Sequence, residues 1–98
     1  MIVSIKPSPR EYKRFRITMD NGKSYDFGLK GGSTYIDHQD KQKRDAYRKR
    51  HYATQEKKLI DNLVPSASLF AYYILWGDST DINTNIKKLN NMWNSKKT

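Results

Sequence analysis

A chain of 98 residues has room for one domain, and a domain of that size buries only about 60% of the surface its unfolded chain exposes. With 36% hydrophobic and 30% charged residues the core must be thin. A net charge of +9 selects acidic partners: nucleic acid, an anionic membrane surface or an acidic protein. The absence of cysteine excludes disulfide scaffolds, thiolate metal sites and cysteine nucleophiles.

Residues 1–11, "MIVSIKPSPRE", read as an extended N-terminal arm. Ile2, Val3 and Ile5 favour extended backbone, and Pro7 and Pro9 forbid a helix. Such an arm either frays or adds a strand to a partner's sheet edge, with Ile2, Val3 and Ile5 as its contacts. Residues 13–28 read as a β-hairpin. A two-residue Asn21-Gly22 turn would put Tyr25 and Phe27 on the wrong face. A three-residue loop, Asp20-Asn21-Gly22 with Gly22 in the left-handed region, pairs Ile17 with Tyr25 and Phe15 with Phe27. On the other face it sets Arg16 opposite Asp26 and Thr18 opposite Ser24, and both pairs are favourable.

Residues 28–39 read as a Gly-rich loop, ending at Asp37 as the N-cap of the next helix with Asp40 in its first turn. Residues 38–58 then read as one long polar helix, with Pro65 as a boundary. Residues 66–76, "SASLFAYYILW", form a helix that is apolar all round and so buried, with Gly77 as its stop. "DSTD" caps a last helix whose Ile82, Ile86, Leu89 and Trp93 fall on one stripe. The predicted fold is α+β: residues 1–11 an extended arm, 12–95 a single small domain, 96–98 a flexible tail. About three helices pack on one face of one hairpin. "MIVSIK" is too short for a signal peptide's apolar region, and the apolar run "LFAYYILW" falls far short of the roughly 20 residues that span a bilayer, so a soluble chain without a transmembrane segment is expected.

Three motifs invite chemistry. "NGKS" at residues 21–24 ends like a P-loop, but Ile17 stands where that pattern needs glycine, and the turn accounts for Gly22. Asp37, His38 and Asp40 are hard ligands near a helix start. They read either as a divalent-ion site or as helix caps beside a solvated histidine. The basic helix is the main candidate: residues 40–58 hold eight basic and three acidic residues. On a helical wheel Lys41, Arg44 and Arg48 share one side, followed by Tyr52 and Gln55, while Tyr47 and His51 turn towards the core. Lys41, Arg44, Arg48, Lys49 and Tyr52 are therefore the expected partner- or nucleic-acid-binding residues. The chain is read as a non-enzyme, with no catalytic, cofactor or metal-ligating residue assigned, no cofactor and no small-molecule substrate.

Taken together, Asp26-Phe27-Gly28, Gly31 and Gly32, the segment Tyr35, Asp37, His38 and Asp40, the helical Tyr47, Arg50 and His51, the pair Leu75-Trp76, and Ile86 form a pattern over residues 12–90. It resembles a family of short basic proteins encoded by large nucleocytoplasmic DNA viruses. Members of that family carry a tryptophan and more glycine and arginine before the Leu-Trp pair, where "LIDNLVPSASLFAYY" stands here. The resemblance implies a virion component, a minor capsid protein beneath the outer shell. Its partners would be major and minor capsid proteins, and its location the capsid, with the host cytoplasm during assembly. Asp26, Phe27, Gly28, Asp37, His38, Tyr47, His51 and Trp76 would be its structural motif. The alternative is a viral DNA-condensing protein in which the basic helix neutralises phosphates without reading sequence.

Overall fold

The computed structural model describes residues 1–54 and 56–96. It is α+β, as expected. Strands β1 (Ile2–Pro7), β2 (Lys13–Met19) and β3 (Ser24–Leu29) form one antiparallel sheet in that order. Five helices follow: α1 (Tyr35–His38), α2 (Lys41–Tyr52), α3 (Lys57–Asp61), α4 (Ala67–Phe70) and α5 (Ile82–Lys96). A π-helical turn, Ala71–Leu75, continues α4. No helix among the described residues is long and apolar enough to cross a membrane.

The hairpin has the register derived above. Phe15 pairs with Phe27, Arg16 with Asp26, Ile17 with Tyr25 and Thr18 with Ser24, and Gly22 sits at φ 86°. Ile17, Met19 and Phe27 are buried on the inner face against Leu69, Phe70, Ile74, Leu75 and Leu89. The outer face is polar. There Arg16 donates twice to Asp26 (2.9 and 3.0 Å), and the Ser8 hydroxyl donates to the same carboxylate.

The N-terminal segment is extended but is not an arm. Residues 2–7 pair with β2 as an edge strand, Ile5 opposite Ile17 and Lys6 opposite Arg16. Ile2 and Ile5 stand three apart, which strict strand alternation would set on opposite faces. A bulge after Ile2 lets Ile2 and Ile5 both face the core, and Val3 is pushed out to 63% exposure. Ile2 and Ile5 are thus internal contacts rather than partner contacts. The sheet unites residues 1–11 with the rest of the domain.

The helical boundaries also differ from expectation. Asp37 does not cap the basic helix; it lies in α1, accepting from the Thr34 amide (2.8 Å) and hydroxyl (2.9 Å). Asp40 is the N-cap of α2 and accepts from the amides of Gln42 and Lys43. Between them Gln39 adopts a left-handed conformation (φ 58°) that separates the two helices. The single helix expected over 38–58 stops at Tyr52 because the Thr54 hydroxyl donates to the His51 carbonyl (2.6 Å), competing with the backbone for the last turn. Gln55, placed on the binding side by the wheel, lies outside the described residues, as do Lys97 and Thr98 of the expected tail; Lys96 ends α5.

The apolar segment after Pro65 is not one α-helix. The Trp76 amide donates to the Ala71 carbonyl, a π-type bond of 3.0 Å. The wider turn lets Ile74 and Leu75 both enter the core while Trp76 swings towards α2. Gly77 serves by close approach rather than by conformational freedom: a Cβ there would lie 2.1 Å from the Tyr73 carbonyl oxygen. In α5 Leu89 is fully buried. Ile82, Ile86 and Trp93 pack partly buried on the same cluster, and the Trp93 indole donates to the Leu63 carbonyl (2.8 Å).

Candidate functional site

Helix α2 has almost no apolar residue of its own, so its orientation is chosen by ring and guanidinium contacts. Tyr47 stacks on Trp76 at 4.3 Å with only 8° between the planes, and His51 stacks on the other side of Tyr47 at 4.0 Å. His38 meets Trp76 at 5.4 Å and completes an aromatic column. Burial pushes the Tyr47 phenol up to about 12, with the nearby Glu56 carboxylate adding to the effect.

Arg44 and Arg48 flank this column and turn inwards with it. Arg48 Nε donates to the Trp76 carbonyl (2.7 Å), its Nη2 to Asp78 (3.0 Å), and its guanidinium lies 5.7 Å from the Tyr72 ring centre. Arg44 lies 4.8 Å from the Tyr35 ring centre and pairs with Asp45. On the wheel Arg44, Tyr47, Arg48 and His51 share an arc of roughly 100°. The two arginines expected to reach a phosphate backbone are therefore on the fold's side of the helix. A planar guanidinium stacks on rings and fits backbone carbonyls in a way an ammonium does not. Tyr52 is tied as well: its hydroxyl donates to Asp61 (2.6 Å), and Lys57 sits 5.4 Å from its ring centre.

What α2 shows to solvent is Lys41, Lys43, Lys49 and Arg50, all exposed. Of the five expected binding residues, Lys41, Lys49 and Tyr52 are exposed, whereas Arg44 and Arg48 are half-buried. Arg14 and Arg16 follow the inward pattern, whereas Arg10 is exposed. Arg14 grips Asp37 with two bonds (2.6 and 2.7 Å) and holds that carboxyl well below its usual range, with Thr34 adding to the effect.

Asp37, His38 and Asp40 do not converge on a common point. Asp37 faces Arg14, His38 Nδ1 accepts from the Asp40 amide (2.9 Å), and Asp40 caps α2. Among the described residues no group of three or more His, Asp or Glu side chains is placed to hold a metal ion. Gly28 lies against Leu75, where a Cβ would meet the leucine at 3.0 Å, and Phe27 meets Phe70 at 5.7 Å.

One cluster was missed from the sequence. The Glu56 carboxylate accepts from the Ser68 hydroxyl (3.0 Å), and its other oxygen lies 2.6 Å from His51 Nδ1. The His51 contact, against the opposing effect of burial and with Ser68 adding to it, holds the Glu56 carboxyl below its ordinary value. Serine and imidazole sit on opposite oxygens, so the imidazole does not hold the hydroxyl proton as a nucleophile's base would. The cluster lines a hollow of about 350 Å³ between the open end of the hairpin and helices α2 and α4. A second hollow of about 230 Å³ adjoins it, sharing Gly28, Leu29, Tyr47 and Ala71. The rim carries the two most exposed large apolar side chains, Tyr12 (70%) and Leu29 (65%). The hairpin register derived from the sequence sets residue 13 opposite 29 and so brings Tyr12 and Leu29 together; the hollow beneath them comes from the packing of α2 and α4.

These features define a small sheet-and-helix domain braced by Arg14, Arg16, Arg44 and Arg48, with a mainly lysine surface and a groove rimmed by apolar side chains. A family model matches residues 3–51, from β1 through α2, and the chain belongs to that family, a family of unknown function (DUF5754). Neither the curated proteins nor the solved structures contain a match.

Proposed function

We propose that this protein is a non-catalytic structural component of a large DNA virus particle, a minor capsid protein that docks on neighbouring capsid proteins beneath the outer shell. The viral setting follows from the motif resemblance alone. The docking role is supported by one observation, the pair Tyr12 and Leu29 held exposed over a groove on a domain of net charge +9. Exposed large apolar groups beside a concavity are the ordinary mark of a protein-binding surface, and the surrounding charge selects an acidic neighbour. The test is mass spectrometry of purified, stripped particles. The protein is expected there in a copy number of hundreds or more, as a shell component requires. Its absence from the particle would overturn the reading.

A second reading, the binding of viral DNA without sequence preference, has its own support in the outward lysines and Arg50 of α2. It predicts a linear fall of log affinity with log salt, each phosphate contact contributing about 0.9 to the slope. With Arg44 and Arg48 occupied internally, substituting them should change affinity only through loss of fold. Substituting Lys41 and Lys49 should lower the slope by about 2. A folded chain with no DNA affinity at low salt removes this reading.

A further inference from the structure

The groove at the open end of the hairpin carries an inference about the kind of partner, and it rests on the docking role proposed above. Residue 13 pairs with residue 29, and the Lys30 amide donates to the Tyr12 carbonyl (3.1 Å), so Tyr12 and Leu29 are fixed on one end of the sheet. Beneath them the two hollows adjoin, both lined by Gly28, Tyr47 and Ala71. The floor is the Ala71 methyl and the edge of the Tyr47 ring, which is already immobilised between Trp76 and His51. A pre-formed apolar floor under apolar walls receives a side chain without first reorganising.

The charge around this end is mainly positive. Arg10, Lys13 and Lys30 lie on the same stretch of hairpin, with Lys30 Nζ donating to the Arg10 carbonyl (3.3 Å). None of these three cations forms an ion pair among the described residues. The acid inside the groove, Glu56, has a donor or ring nitrogen on each oxygen, and Glu11 is the exposed acid beside Tyr12.

We infer that the groove binds an acidic peptide segment of a partner protein, with one large apolar side chain of that segment seated between Leu29, Tyr12 and Ala71. Its flanking carboxylates meet Lys13, Lys30 and Arg10. The hollow sets the class of anchor, and the cations set the sign of the residues around it.

The experiment uses the whole chain and a fluorescein-labelled synthetic peptide of Glu and Ser around a single central Phe, read by anisotropy. Two peptide controls replace Phe by Ala or every Glu by Gln. Two protein variants, Leu29→Ser with Tyr12→Ser and separately Lys23→Ala at the opposite end of the hairpin, keep the fold because each changed side chain is exposed, and thermal unfolding checks this. Saturable binding is expected to fall about tenfold with the Ala peptide and with the Leu29/Tyr12 variant, the effect of one lost apolar anchor. It should fall with the Gln peptide and change less than about twofold with Lys23→Ala. Absence of saturable binding, or binding indifferent to Phe and to Leu29 and Tyr12, overturns the inference. So does a concentration-dependent dimer that the Leu29/Tyr12 variant dissolves, since the occupant would then be a second copy, or duplex DNA that competes at the groove. Any of these failures leaves the presence of the protein in particles to be decided by its own measurement.

Discussion

Asn85 is 2% exposed and satisfies a corner of the fold with one amide. Its Nδ2 donates to the carbonyls of Ile74 (2.9 Å) and Ser79 (2.7 Å), and its Oδ1 accepts from the Ser79 amide (3.0 Å). Replacement by Ala strands buried backbone groups, so Asn85→Ala is expected to cost about 2–4 kcal/mol in urea unfolding, against near neutrality for the exposed Asn83→Ala. Asp37 belongs to the same scale. The Arg14 bonds depress its carboxyl in the fold, as Arg16 chiefly depresses that of Asp26. A folded value below the unfolded one, about 3.9, means that the unfolded chain binds more protons in that window. The stabilisation is therefore complete above about pH 4 and is lost as pH falls through the folded values. Denaturant midpoints should drop on acidification below about pH 4. Asp37→Asn should cost about 1–2 kcal/mol at neutral pH, since the pair is partly exposed, and should lose less on further acidification.

At the scale of elements, β1 is an edge strand with its edge closed. The Ile2 amide donates to Asn90 Oδ1 (2.9 Å), and Asn90 Nδ2 donates back to the Ile2 carbonyl (3.1 Å). The bulge displaces Val3, and Pro7 has no amide hydrogen to offer. The Ser8 amide bonds the Arg14 carbonyl, so by antiparallel alternation Ile5 is the position whose backbone groups face outwards. One open residue is too few to template another strand. Asn90→Ala uncovers Ile2 and should produce more concentration-dependent association in sedimentation velocity than the parent chain shows. A partner strand at β1, the role first expected of residues 1–11, would have to displace Asn90.

Over the whole molecule the two kinds of cation are sorted. Arg14, Arg16, Arg44 and Arg48 tie helices and strands together, while lysines such as Lys41, Lys43 and Lys49 stand in solvent. The charge of +9 is thus mainly a lysine surface around an arginine-braced fold. The sorting predicts that Arg48→Lys, which keeps the charge, destabilises by about 1–2 kcal/mol, whereas Lys49→Ala, which removes one, stays within about 0.5 kcal/mol. Thermal unfolding of the two variants side by side measures it.

Local periodicity alone determined the hairpin and α5. A strand repeats every two residues, so the turn at Asp20-Asn21-Gly22 had one register that put Phe15, Ile17, Tyr25 and Phe27 on a common face. The stripe Ile82, Ile86, Leu89 and Trp93 needed no partner to be visible. The inward turn of Tyr47 and His51 was also legible, because they are the ring-bearing side of an otherwise charged helix. Which side Arg44 and Arg48 take was not. An arginine beside such a stripe is exposed or internal according to what it meets, and Arg48 meets a carbonyl 28 residues away. The pairing of β1, the end of α2 at Thr54, the π-turn before Trp76 and the groove under Tyr12 and Leu29 were likewise decided by the tertiary structure. Each depends on contacts between segments distant in the chain or on a competition between backbone and side chain, and neither leaves a period in the sequence.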